Sequence, residues 1–266
     1  MGSIHTAYRE EESMKWCRVV SLFITLAGIC LVTVPPALAA AAVAARTVTV
    51  ATDATWPPME MVDASKQIVG FDVDYLKAVA KEAGFSVAFK NTAWDGIFAG
   101  LAAGRYDVIA SSVTITDERK KQYDFSDPYI NIGQILVVPK AETGKALAGL
   151  KGKKAGAQIG TTGSFEIKKV EGVELKTYDE IGLAFEDMAA GRISGVVCDE
   201  PTAAHYALQR AEYKAKFKIV GETFTQESYG FVVQKGNKEL VELLNKGIKA
   251  VKAKRIDEQF RKKWLR

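Results

Sequence analysis

From Thr47 onward the chain alternates short apolar runs with longer amphipathic ones. "TVTVATD" (47–53) reads as a strand that ends on a polar tip. In "GFDVDYLKAVAKEAGF" the residues Val73, Leu76, Val79 and Ala80 share one helical face. "SVAFKNTA" reads as a strand, "WDGIFAGLAAG" as a helix closed by Gly104, and "YDVIASS" as a strand. That order predicts a parallel sheet covered by helices. Near Pro128 the pattern changes, and "INIGQILVVPK" reads as one long extended run.

A second series follows. It runs "KKAGAQIG" strand, "TGSFEIKKV" helix, "ELKTYD" strand, "EIGLAFEDMAAG" helix, "ISGVVCD" strand and "EPTAAHYALQRA" helix. Then "KIVGETF" and "ESYGFVVQKG" read as strands. The chain closes on the helix "NKELVELLNKGIKAVKAK", which is expected to continue through "KRID" into the basic tail. No Gly/Ser linker separates the two series, so two extended crossings, roughly 129–137 and 223–231, are expected to join them. Ligands of open α/β sheets bind at the carboxyl ends of the strands. Two such sheets face to face would place Asp53, Ser112, the Gln158–Gly163 loop and Asp199 around one cleft.

Composition adds limits. The 266 residues are 48% hydrophobic and 26% charged, as in an ordinary globular protein. A net charge of +4 is too mild to argue for nucleic acid, and no basic cluster carries interleaved aromatics. The segment "MKWCRVVSLFITLAGICLVTVPPALA" has Lys15 and Arg18, an apolar run and an A-x-A step at Ala37–Ala39. That is a secretory signal peptide within an N-terminal segment 1–39, cleaved near Ala39. Met14 is the expected start, with the polar stretch before it an artefact of the assigned start. An uncleaved anchor is the alternative, since the apolar run is long enough to span. "LAGIC" departs from a lipoprotein box at Ile29, so lipidation is not expected. Cys17 and Cys30 leave with the leader, and Cys198 then stands alone in an apolar strand as a small buried hydrophobe. The histidines are His5, in the leader, and His205, so a His-based metal site lacks material, and neither metal nor cofactor is expected.

The candidate chemistry gathers at strand ends. Thr116 suits a helix N-cap, and Asp117 and Glu118 suit the positive end of a helix, but Arg119 does not. Either Arg119 is a solvated surface residue or an anion awaits it. Asp53 reads equally as a turn residue, Trp56 and Trp94 as core aromatics, Gly160-Thr161-Thr162-Gly163 as a capped turn, and Asp199 as an N-cap before Pro201. Together they supply a fixed cation, a nest of backbone donors, two carboxylates and two aromatic faces. That set fits a zwitterion.

"ATDATWPPMEMVD", "GFDVDYLKAVAKEAGF", "AWDGIFAGLAAGRYDV", "SSVTITDERKKQYDFSDPY", "GAQIGTTGS" and "GNKELVELLNKGIKAVKA" resemble the periplasmic polar amino-acid-binding proteins of ABC importers (solute-binding family 3). The resemblance runs from about Thr47 to the end. It implies an α/β, two-lobed periplasmic-binding-protein fold (type II), each lobe a sheet flanked by helices, joined by two hinge strands. Lobe 1 would be 47–131 plus 228–266, and lobe 2 would be 132–227. It implies that Arg119 grips the ligand α-carboxylate, with Thr114 and the backbone N–H groups of Thr162 and Gly163. Asp199 would take the α-ammonium, with Ser112 and Thr114 at that end. Asp53, Trp56 and Trp94 would line the side-chain pocket, and Gln158 and Thr161 its far wall. Two departures from the family pattern lie outside that cleft: Ser194 stands where Asp is common after Gly191-Arg192-Ile193, and the tail lacks Gly-Thr-Tyr.

Asp53 between two indoles favours a cationic side chain, hence lysine, arginine, ornithine or histidine. Glutamine is the alternative, because its amide can donate to Asp53. The expected partners are an amino acid and the membrane permease of an ABC importer; the protein is expected to be a periplasmic monomer. More distant alternatives are a cyclohexadienyl dehydratase-like enzyme and a sensor domain. The enzyme would need a general acid, and neither Asp53 nor Glu60 shows a pKa-raising environment in the sequence.

Overall fold

The structure is a computed structural model that describes residues 47–265. The expectations about the leader, its start and its cleavage lie outside those residues.

Along the chain the strands and helices are β1 (Thr47–Thr52), β2 (Thr55–Trp56), β3 (Glu60–Val62), β4 (Ile68–Val69), α1 (Phe71–Ala83), β5 (Ser86–Asn91), α2 (Ile97–Ala102), β6 (Val108–Ile109), α3 (Asp117–Gln122) and β7 (Tyr123–Phe125). Then come β8 (Ile130–Ile132), β9 (Gln134–Pro139), β10 (Lys154–Gln158), α4 (Thr162–Lys168), β11 (Glu174–Tyr178), α5 (Ile181–Ala189), β12 (Gly195–Asp199) and α6 (Glu200–Ala204). The last are α7 (Ala211–Lys214), β13 (Phe217–Val220), β14 (Glu227–Tyr229), β15 (Val232–Gln234), α8 (Lys238–Ala253) and α9 (Ile256–Trp264).

Two five-stranded sheets result, in the orders β5-β1-β6-β15-β7 and β11-β10-β12-β9-β13. In each sheet the strands of the strand–helix repeats run parallel, and the strands that arrive from a crossing add antiparallel. A short antiparallel pair of β8 and β14 links them, with Ile132 opposite Glu227 and Ile130 opposite Tyr229. The chain is therefore two lobes, each a helix-flanked sheet. Helices α1 and α8 pack on the first sheet through Leu76, Val79, Leu240, Leu244 and Val251, all fully buried. The apolar stripe read at Val73, Leu76, Val79 and Ala80 is that contact face.

Four sequence expectations need correcting. The extended run 130–140 breaks at Gly133, where a Cβ would come within 2.4 Å of the Thr225 carbonyl oxygen. The two crossing segments approach too closely there for any side chain, so β8 belongs to the crossing and β9 to the second sheet. Likewise "ESYGFVVQKG" splits into β14 and β15. "EPTAAHYALQRA" holds only one α-helical turn before a π-helical turn at His205–Gln209. The tail is not one continuous helix: Arg255 adopts left-handed backbone (φ 55°) and separates α8 from α9. The hairpin of β2, β3 and β4 was not anticipated; it carries Trp56 and Glu60 toward the cleft.

Candidate functional site

On the first lobe the site grows from the carboxyl ends of β1 and β6. Asp53 follows β1, and its backbone N–H donates to Ser111 Oγ at 2.9 Å. Its carboxylate accepts from Thr55 Oγ1 at 2.8 Å. Ser112, after β6, sits in the left-handed region (φ 50°), a conformation that costs a non-glycine residue about 1 kcal/mol or more. Asp72 holds it there, accepting the Ser112 N–H at 2.8 Å and the Tyr129 hydroxyl at 2.6 Å. The twist sends the Ser112 hydroxyl to Glu60 at 3.1 Å, beside that of Ser111 at 3.4 Å.

Arg119 lies in the first turns of α3, whose N-cap Thr116 accepts the Arg119 N–H at 3.2 Å. Its guanidinium turns away from solvent and donates to the carbonyl oxygens of Thr114 (2.8 Å) and Gly160 (3.2 Å). It stacks near Trp94 and Phe98, 5.6 and 5.3 Å from the ring centroids. No ion pair to it forms among the described residues. A guanidinium has five N–H donors, so two carbonyls leave donors over for an anion.

On the second lobe, Gln158 ends β10 and Asp199 ends β12. Gly160 turns the chain in the left-handed region (φ +68°), and Thr161 then caps α4, accepting the Ser164 N–H at 3.3 Å. Thr162 and Gly163 open α4, where backbone N–H groups lack intrahelical acceptors.

Direct bonds tie the lobes. Gln158 Nε2 donates to Asp53 Oδ2 at 2.9 Å, Trp94 Nε1 to the Ile159 carbonyl at 2.9 Å, and Arg119 to Gly160. Enclosed between them is a cavity of about 20 Å³ lined by Asp53, Trp56, Glu60, Trp94, Ser111, Ser112, Thr114, Arg119, Gln158, Thr161, Thr162 and Asp199. That space suits about one water, so a larger guest must lengthen or replace the bonds between the lobes. A larger open groove of about 1060 Å³ adjoins it and shares Thr114 and Thr162. The small cavity is the better candidate, because the unusual buried charges converge on it rather than on the groove.

Every residue expected in the cleft lines this cavity except Gly163. Its Cα faces Gln134 and Val197 instead, with Gln134 Oε1 2.7 Å from where a Cβ would stand. Gly163 is thus a packing position that offers only its backbone. Sequence reading missed Ser111 as a lining residue, and Gln134 and Glu227 just behind the wall, and it considered Glu60 only as a general acid for the enzyme alternative. The polar residues inside "MEMVD" and "FTQESYG" were the available signal.

The electrostatics also correct one expectation. Burial, the neighbouring Asp72 and, less strongly, Asp53 raise the Glu60 carboxyl well above the usual carboxylate range, and burial raises Asp53 too. The pKa-raising environment that the sequence did not show is therefore present. Burial pushes Asp72 to about 6. Asp199 is pushed to about 7 by burial and then by the carboxylate of Glu227. Burial lowers Arg119 to about 10, opposed by Asp199 and Glu227, so it stays charged at neutral pH. Within the lining, Asp199 attracts Arg119, while Asp53 and Glu60 form a second group whose charges repel one another.

The profile of the bacterial extracellular solute-binding proteins, family 3, matches residues 48–266. The chain belongs to this family. A probable histidine-binding protein of Neisseria gonorrhoeae is 35% identical over 207 residues, 76% of this chain and 77% of that one. The L-cystine-binding protein TcyJ of Escherichia coli (strain K12) is 33% identical over 222 residues, 82% of each chain. Two solved structures are described as an ancestral arginine-binding protein, one bound to arginine and one to glutamine. Both are 44% identical with TM-scores of 0.78, covering 83% and 82% of this chain and 98% and 97% of theirs. This family 3 solute-binding protein shares their fold across both lobes.

Proposed function

We propose that this chain binds one L-amino acid between its lobes in the periplasm and delivers it to an ABC-type permease. The ligand is basic: arginine, lysine, ornithine or histidine. The observation that carries the reading is the polarity of the cavity. Arg119 and Asp199 together match an α-carboxylate and an α-ammonium, and a guanidinium grips a carboxylate bidentately. Asp53 stands buried in the second group with hydrogen-bond donors around it and no cation paired to it among the described residues. A cationic side chain would replace the Gln158 amide on Asp53.

In this reading the lobes divide at 47–131 plus 228–266 and 132–227, and the 1–39 segment is removed on secretion. The protein acts as a monomeric carrier, without catalysis or nucleic acid. Glutamine is the second reading, favoured by Asp53 already accepting an amide N–H from Gln158. A thermal-shift panel of the twenty amino acids plus ornithine, followed by calorimetry on the hits, tests both. Stabilisation by basic amino acids above all others is expected. Stabilisation by none of the panel overturns the function, and a glutamine preference promotes the second reading.

A further inference from the structure

Glu227 lies on the crossing strand β14, outside the cavity wall and facing the adjoining groove. Its Oε2 accepts the Thr114 hydroxyl at 2.9 Å and the Thr162 hydroxyl at 2.8 Å. One threonine belongs to each lobe, and both line the cavity. A carboxylate accepts and does not donate, and a hydroxyl has one proton and two lone pairs. Both hydroxyl protons are thus committed to Glu227. Thr162 Oγ1 also accepts from Gln134 Nε2 at 3.0 Å, and the same amide donates to Asp199. The Thr114 and Thr162 oxygens lie 3.5 Å apart.

We propose that Glu227 is a positioning residue that turns the Thr114 and Thr162 hydroxyls into acceptors and so makes this end of the cavity select a ligand ammonium. It rests on the amino-acid-binding reading above and deepens it. The hydroxyls then join Asp199 as an oxygen-lined seat for an α-ammonium. The α-carboxylate is left to Arg119 and to the backbone N–H groups at the start of α4. This revises the expectation that the Thr114 side chain helps hold the carboxylate. Because Glu227 reaches one hydroxyl from each lobe, the seat is complete only when the lobes are closed.

The test is calorimetry on the full chain with L-arginine and L-glutamine, each against its des-amino analogue (5-guanidinopentanoate and 5-amino-5-oxopentanoate). Wild type, Glu227→Gln and Glu227→Asp are compared. Glutamine at 227 brings an N–H₂ donor to the hydroxyls, and aspartate withdraws the carboxylate from them by one methylene. In both variants the preference for the α-amino ligand over its des-amino analogue is expected to fall about tenfold, the scale of one lost hydrogen bond to a charged group. A prop for the hinge alone would weaken both members of a pair equally, and an unchanged ratio in whichever variant folds overturns the proposal. Tighter binding of the α-amino ligand in either variant also overturns it. Wild-type protein that binds neither amino acid removes the reading beneath it, a failure visible before any variant is made.

Discussion

Replacing Arg119 with alanine removes the one guanidinium at the cavity. Three losses follow from the geometry. The first is the pairing of a desolvated ligand carboxylate, about 2–5 kcal/mol when one partner of a buried charged pair is truncated. The second is the bond that Arg119 makes across the lobes to Gly160 at 3.2 Å, about 1 kcal/mol. The third is the stacking on Trp94 and Phe98, about 0.5–1 kcal/mol. The last two act on the closed state, which ligand binding also draws on, so they overlap with the first. The first alone corresponds to roughly thirty-fold to several-thousand-fold in affinity. Arg119→Lys keeps the charge and loses the fork, so it should fall between wild type and alanine. The assay is isothermal calorimetry with L-arginine at neutral pH, where Arg119 is charged. An Arg119→Ala affinity within threefold of wild type would show that the guanidinium is a surface group stacked on two rings and nothing more.

Three further outcomes are expected. Asp53→Asn should cost arginine and lysine about 2–4 kcal/mol by leaving a desolvated cation unpaired, but glutamine only about 1 kcal/mol; calorimetry showing equal losses for all three would move Asp53 out of the side-chain pocket. Asp72 at about 6 and Asp199 at about 7 keep protons that the unfolded chain gives up near pH 4, and Asp53 and Glu60 are raised as well. The stability they lend is complete below about pH 4 and is lost as pH rises toward 7, opposed only in part by His205, which burial holds below its usual value. The ligand-free protein should therefore melt higher at pH 5 than at pH 8, and the reverse order would refute the assigned burial of these carboxyls. Small-angle scattering should give a radius of gyration with a saturating ligand no larger than without, since a guest held by both lobes favours the closed arrangement by its differential contacts; a larger radius with ligand counts against a clamp.

The sequence by itself determined the elements and the strand ends on which most of the cleft stands. Short apolar runs marked β1, β10 and β12, and a polar residue directly after or at the end of such a strand is carried to the sheet's carboxyl edge by backbone geometry alone. Thr116 and Thr161 were legible as caps because capping is a contact over three residues. Arg119 was legible because a cation in a first turn is unfavourable unless something anionic faces it. Tertiary structure decided the rest. Glu60 sits on a three-residue strand of the small hairpin, too short for periodicity to show which side faces the cleft. Glu227 meets Thr114 across 113 residues of chain, and Gln158 meets Asp53 across 105. Such pairs depend on how two sheets close around a crossing whose two segments approach so closely at Gly133 and Thr225 that no side chain fits between them. The raised carboxyls had the same origin. A local pattern names the residue type, but desolvation depends on what the far end of the chain lays over it.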